Sequence, residues 1–276
     1  MHRYISKIVV FFIPLVILFY SEPVYLLIDS KYKEIVAGKE IYQSIKKSKQ
    51  KGKQKKLILG DSVGKQLFSS TVHDDTFNSL ACNQAISMAG HYFLLKNYLE
   101  AGNKIDTLYL VFMPLSFLNN LNQVYTFHYF LKPFYKDEYK PYLTQTVYNQ
   151  VKKIPYYYLC REPYILTSNW APQFVPDKSV DYTFLSPISI EYLKKIKSLS
   201  KSHHFKTIIL PTPTIIDKKG IIDKMNRNEI SLNGLSEEFE NYFERIIYLD
   251  NNYFIDSVHL KSPKRYSMQY RNTWIK

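Results

Sequence analysis

The sequence predicts a three-layer α/β/α sandwich with a mostly parallel sheet, preceded by an N-terminal transmembrane helix. Three observations carry the prediction. Four short runs, 56–60, 107–113, 207–210 and 245–249, are apolar on both parities, as parallel strands covered on both faces are. Between them lie stretches with apolar residues at helical spacing, so strand and helix alternate along the chain. At the N-terminus, residues 8–28 approach the roughly 20 apolar residues that cross a bilayer.

The N-terminal segment runs Ile8 to Tyr20 in apolar residues, breaks at Ser21-Glu22-Pro23 and resumes over Val24 to Ile28. His2, Arg3 and Lys7 flank it, and no small-x-small cleavage site follows. This pattern reads as an uncleaved anchor over residues 1–30 rather than a removed leader. Positive charge on both sides makes its orientation contested. Lys31, Lys33, Lys39 and the lysines beyond them favour a cytoplasmic domain, whereas the basic N-terminal flank of a first span favours export. The expectation is a single-pass membrane protein with its folded domain outside the cytoplasm. Lys46, Lys47, Lys49, Lys51, Lys53, Lys55 and Lys56 then crowd into a segment read as a linker over residues 31–55. Such a run suits an anionic membrane surface. No aromatic is interleaved with these lysines and no nucleic-acid motif accompanies them, so a nucleic-acid partner is not expected.

The folded domain is expected over residues 56–276. Residues 84–100 carry Ile86, Ala89, Phe93, Leu94 and Tyr98 at helical spacing, and Gly102 supplies a stop. Ser186-Pro187 is a helix entry, N-cap then N1 proline, with Leu193, Ile196 and Leu199 on one stripe. Ser236 is expected to cap a helix carrying Glu237, Glu238, Phe239 and Phe243. Residues 129–180, rich in Tyr and Pro without clear periodicity, read as an insertion over the active-site face that could shape a substrate lid.

Composition narrows the classes. A chain of 276 residues with 46% hydrophobic residues can bury a core without staples. The aromatic fraction of 16% fits either core packing or a groove that stacks on sugars or acyl chains. Cys82 and Cys160 could pair or stay free, and they form no zinc-type cluster with histidine. No cofactor or metal is expected. His73, His91, His128, His203 and His204 lack partners at ligand spacing and read as surface or packing residues.

Chemistry in an open α/β sheet belongs at the carboxyl ends of the strands. Ser62 lies just past the end of the first run, in Gly60-Asp61-Ser62-Val63-Gly64, and Asp256-Ser257-Val258-His259 lies a short loop beyond the last. A serine hydroxyl becomes a nucleophile when a base takes its proton. Histidine suits that work near neutral pH, and a carboxylate three residues away can orient the ring without a second chain segment. Asp61 or Ser62 could equally cap a helix at a plain strand-to-helix turn.

Together, Gly-Asp-Ser after a strand and Asp-x-x-His-Leu near the C-terminus resemble the SGNH (GDSL-type) hydrolase family over roughly residues 56 to 270, with strong matches at the two ends. The resemblance implies a flavodoxin-like sandwich with Ser62 as nucleophile, His259 as general base and Asp256 as its orienting partner. It also implies an oxyanion hole built from the Ser62 N–H, a second backbone N–H and an asparagine side chain. Asn83-Gln84-Ala85-Ile86-Ser87-Met88-Ala89-Gly90 resembles the second family block. Gly90 is the chosen donor, although alignment on Ser87 puts Met88 at the glycine position. The third block, usually Gly-x-Asn-Asp, is replaced by Pro114-Leu115-Ser116-Phe117-Leu118-Asn119-Asn120, where Asn120 or Asn119 could donate. The activity implied is that of a membrane-anchored serine esterase or O-acyl(acetyl)transferase acting on acylated glycans or lipids of the cell envelope. The alternative is an inactive protein of the same fold that binds or scaffolds envelope polymers.

Overall fold

The computed structural model describes residues 2–35, 38–123, 125–161 and 183–275. Two N-terminal helices, α1 (His2–Phe19) and α2 (Glu22–Ile35), precede the domain. Among the described residues no single helix is long and apolar enough to cross a membrane. The two helices pass that test together, bent by 63° at the break the sequence marks with Ser21-Glu22-Pro23. Phe11, Phe12, Ile13, Val16 and Ile17 stand exposed along α1, so its apolar surface is not used by the fold. α2 is different at its far end. Tyr32 is buried, its hydroxyl hydrogen-bonds His128 Nδ1 at 3.1 Å, and the Lys132 ammonium lies over its ring.

The expected linker is largely folded. Lys39–Ser48 forms α3, which buries Ile41, Ser44 and Ser48 and packs on the domain. Lys47 is structural: its ammonium donates to the carbonyls of Ser70 and Ser79. Lys49 pairs with Glu138, while Lys51, Lys53 and Lys55 are exposed. The lysines therefore gather at the edge where β1 begins.

β1 (Lys56–Gly60) leads into α4 (Ser62–Leu67), then β2 (Asn78–Ser79), α5 (Ser87–Glu100) and β3 (Thr107–Val111). After α6 (Lys132–Phe134), α7 (Gln145–Val151) and α8 (Pro187–His203), β4 (Lys206–Leu210) completes a parallel sheet of order β2-β1-β3-β4. Leu57, Leu59, Leu108, Leu110 and Ile209 face a core shared with α3, α5 and α8. Ile58, Tyr109, Val111 and Leu210 face a second core with α4 and the C-terminal helix. Alternate residues of each strand thus feed opposite faces, as a sheet covered on both sides requires.

β5 (Thr214–Ile215) is followed by α9 (Lys219–Asp223), α10 (Asn228–Leu232), β6 (Tyr248–Leu249) and α11 (Pro263–Thr273). β5 and β6 form a separate parallel pair, so the fourth expected strand does not join the main sheet. The expected helix at Ser236 is absent: residues 236–245 are a succession of turns. The Glu238 carbonyl is taken by the Ile209 N–H of β4 at 2.9 Å, which removes an acceptor that a helix would need. Ser186-Pro187 behaves as expected, with Ser186 Oγ accepting from the Ser189 N–H.

The first half of the Tyr/Pro-rich insertion is core. Phe130, Phe134, Tyr139, Val147 and Val151 are buried, and Phe93 of α5 stacks on Tyr139 at 5.1 Å. Phe117, Phe184, Phe239 and Tyr242 make a second aromatic cluster. Core packing therefore uses many of the aromatics. The remainder of the expected lid, 162–180, lies outside the described residues.

The turn from β1 to α4 explains its two glycines. A Cβ on Gly64 would sit 2.6 Å from the Val111 carbonyl oxygen, and one on Gly60 would sit 2.8 Å from it. Both allow α4 to press against the end of β3. Gly64→Ala is expected to destabilise the protein by about 1–3 kcal/mol, because backbone on both sides must move, read as a lowered urea midpoint.

Candidate active site

Asp61 organises the carboxyl end of the sheet. As the N-cap of α4, its Oδ1 accepts from the Val63 and Gly64 N–H groups at 3.0 and 2.9 Å. Its Oδ2 accepts from the Met113 N–H and Ser116 Oγ, both at 2.7 Å. The side chain is fully enclosed. Burial pushes its carboxyl pKa up, against the four donors that pull it down. One carboxylate thus ties the end of β1 to the loop after β3. Ser116 Oγ also lies 3.0 Å from Gln84 Oε1, and Asn119 Nδ2 donates to the Gln84 carbonyl. The segments after β1, β2 and β3 are knit into one polar network.

Ser62 is the first residue of α4, half-buried. Its Oγ makes no hydrogen bond among the described residues. Its N–H is likewise unbonded among the described residues, because Asp61 caps the next two amides and helical bonding begins with Lys65.

Asp256 and His259 meet as the spacing predicts. Asp256 Oδ2 lies 2.8 Å from His259 Nδ1, while Oδ1 accepts from the Val258 and His259 N–H groups, both at 2.7 Å. These contacts hold the Asp256 carboxyl down at about 2, the imidazole hydrogen bond contributing most. Both side chains reach solvent, with relative exposures of 38% for His259 and 53% for Asp256. Nδ1 is engaged, which leaves Nε2 as the ring's outward nitrogen. No hydrogen bond joins His259 to Ser62 among the described residues. The two are presented by adjoining segments: Gln66 of α4 hydrogen-bonds both the N–H and the carbonyl of Leu260.

The expected oxyanion donors, Gly90 and Asn120 or Asn119, differ in which of their groups are already bonded. Gly90 is the fourth residue of α5, so its N–H is the first to be used inside the helix, against the Ile86 carbonyl. Packing accounts for its lack of a side chain, since a Cβ there would lie 2.7 Å from Ile86 Cβ. Among the described residues, the amide left without a partner at the head of α5 is that of Met88. The Ser87 N–H bonds the Gln84 carbonyl, and the Ala89 N–H reaches Ser87 Oγ at 3.3 Å. Ser87 holds φ 52° and ψ 179°, a conformation costing about 1–3 kcal/mol in a non-glycine residue and typical of working sites. Asn119 is committed, donating to Gln84 and accepting from the Leu121 N–H at 2.9 Å. Asn120 is not: its Nδ2, the atom that could donate, makes no hydrogen bond among the described residues, and its Oδ1, which can only accept, is buried without a partner.

Four further residues belong to this region. Ser116 and Gln84 support Asp61; both lie in the two segments compared with the family blocks, but neither stands at a position those blocks single out. Lys218, half-buried on the turn after β5, lies in the field of Asp256 and Asp61, and burial lowers its ammonium pKa. His91 is buried against Phe112, its ring centroid 4.7 Å away, and burial pushes its imidazole down to about 3. It stays neutral, a packing residue. His73, His203 and His204 are exposed. Cys82 and Cys160 are both free and buried, with burial raising the Cys160 thiol to about 11. A cavity of about 210 Å³ lined by Tyr25, Tyr42, Lys136 and Arg161 among others lies against α2, and it includes none of the candidate catalytic residues.

Comparison with protein-family models and with curated proteins finds no match.

Proposed function

We propose that the chain is a membrane-anchored serine esterase or O-acyltransferase of the SGNH type, acting on acyl esters of cell-envelope glycans or lipids. The observation that carries this reading is the pairing of His259 Nδ1 with Asp256, on an arm laid against the helix that Ser62 begins. Engaging Nδ1 leaves Nε2 to act as the base. Ser62 Oγ would attack the ester carbonyl while Nε2 takes its proton. The tetrahedral oxyanion would be met by the Ser62 and Met88 N–H groups and by the Asn120 amide. Collapse expels the alcohol, which takes the proton from His259 and leaves an acyl group on Ser62. Water or a sugar hydroxyl, deprotonated in turn by His259, then releases the acyl group and restores the serine. Water gives hydrolysis and a sugar hydroxyl gives transfer.

The bent α1–α2 pair supports anchoring at a membrane. β1 runs from the lysine-bearing edge to Ser62. A lysine edge turned to an anionic surface would leave the site facing away from it. The basic N-terminal flank of the first helix supports an extracytoplasmic location, against the lysines that follow the second.

The inactive-scaffold reading is favoured by one observation, the unbonded Ser62 hydroxyl. Ser–His contacts are often long before substrate binds, so reactivity decides. A fluorophosphonate probe should label wild-type protein at Ser62 and leave Ser62→Ala unlabelled. Failure of the wild type to label, or equal labelling of the variant, removes the esterase reading.

A further inference from the structure

Gln66 is four residues beyond Ser62, about one turn along the same short helix. Its amide meets the backbone of Leu260, the residue directly after His259, at two points. Oε1 accepts from the Leu260 N–H at 2.9 Å, and Nε2 donates to the Leu260 carbonyl at 3.3 Å. A side-chain amide that meets both backbone groups of one residue fixes height and rotation together, because it satisfies a donor and an acceptor at once.

The other hydrogen bonds of this arm stay within it or reach the turn just before it, where the Tyr253 and Phe254 N–H groups donate to the carbonyls of Asp250 and Asn251. Ile255 N–H donates to the His259 carbonyl at 2.7 Å, and Lys261 N–H donates to the Tyr253 carbonyl at 2.9 Å. Phe254 and Leu260 form an antiparallel bridge. With the Asp256 bonds they shape the arm but do not join it to α4. Phe254 and Leu260 are buried in the core that also holds Val63 and Leu67, but apolar burial is non-directional. Among the described residues, the Gln66–Leu260 pair supplies the only hydrogen bonds between segment 253–261 and α4.

We propose that Gln66 is a positioning residue for the reaction, a clamp that sets the His259 imidazole against the Ser62 hydroxyl. The proposal rests on the reading of Ser62 as nucleophile and His259 as base. Nucleophile and base reach the site from sequence positions far apart, so their alignment depends on what binds one segment to the other. A tie to the peptide next to His259, from one turn below Ser62, provides that alignment with no contact to substrate.

The test uses the full chain in detergent, an alkyl fluorophosphonate as probe, and Gln66→Met, which keeps the side chain's length while removing both hydrogen bonds. The maximal labelling rate at Ser62 should fall about 10–100-fold, the scale of a small misplacement of reacting groups. The half-saturating probe concentration should stay at the wild-type value, Tm should fall by only a few degrees, too little to unfold the protein at the assay temperature, and amide exchange at Leu260 should accelerate. Gln66→Ala repeats the measurement if methionine disturbs folding. Unchanged labelling by both variants overturns the clamp, as does unchanged Leu260 exchange. A parallel rise in half-saturating concentration or a drop in Tm that accounts for the lost rate points to a merely structural role and also overturns it. Wild-type protein that fails to label at all overturns the esterase reading first, and the positioning role of Gln66 with it.

Discussion

Asp256→Asn should lower kcat/KM for a simple acyl ester by about 10²–10⁴-fold while leaving the fold intact. The asymmetry follows from the two oxygens of Asp256. Oδ1 accepts from the Val258 and His259 N–H groups, and an asparagine carbonyl can do the same, so the turn survives. Oδ2 faces His259 Nδ1, and there asparagine brings either a neutral oxygen or an NH₂ group. The negative charge that would stabilise an imidazolium is lost, and the NH₂ orientation favours the tautomer with its proton on Nε2, where it cannot act as a base. The solvent exposure of the pair puts the effect toward the lower part of that range. His259→Ala should fall further, since no group is left to take the Ser62 proton. With its carboxyl held down at about 2, Asp256 stays ionised as pH falls through the usual carboxylate range. The contribution of its native contacts to stability is present above its ordinary pKa of 3.8 and is lost only as pH falls through about 2. The acid side of the wild-type rate profile should therefore carry no step from Asp256 across the assayable range. Initial rates of p-nitrophenyl acetate hydrolysis, with circular dichroism on the same samples, measure both parts.

Asp61→Ala is expected to be the most destabilising single change at this end of the sheet, by about 3–5 kcal/mol. Removing the carboxylate strands the N–H groups of Val63, Gly64 and Met113 in a site closed to water. Only Ser116 has a second acceptor within reach, Gln84 Oε1 at 3.0 Å. The N-cap alone accounts for about 0.5–2 kcal/mol, and the Met113 donor and the lost tie between β1 and β3 supply the rest. Asp61→Asn should cost less, because one oxygen still caps α4 while its NH₂ group confronts two donors. Urea unfolding of the full chain orders the three proteins as wild type, Asp61→Asn, Asp61→Ala. Labelling of Ser62 should weaken in the same order, since Asp61 positions the turn that carries the serine.

The parts of this protein legible in the sequence are those whose cause lies within a few residues. The strand at 56–60 was set by a continuous apolar run, the helix at 187–203 by its Ser186-Pro187 entry, and the Asp256–His259 contact by a spacing of three. The turn at Ser62 was legible because Gly-Asp-Ser-Val-Gly holds both the cap and the space it needs. What the tertiary structure alone decided depends on partners far along the chain. The Ser236 segment carries a helical pattern but yields a carbonyl to β4. Lys47 sits in a run of solvated lysines yet reaches two loop carbonyls. Asn119 and Asn120 are chemically identical neighbours, and only the position of the Gln84 carbonyl commits one and leaves the other open. Gly90 stood out as a donor by residue type, whereas the helix start at Ser87 passes the open amide to Met88. Gln66 had no motif at all, because its partner is a backbone group, and a peptide unit leaves no mark in the sequence. Local conformational preference is written residue by residue. The satisfaction of buried donors and acceptors is settled only when the chain has brought its distant segments together.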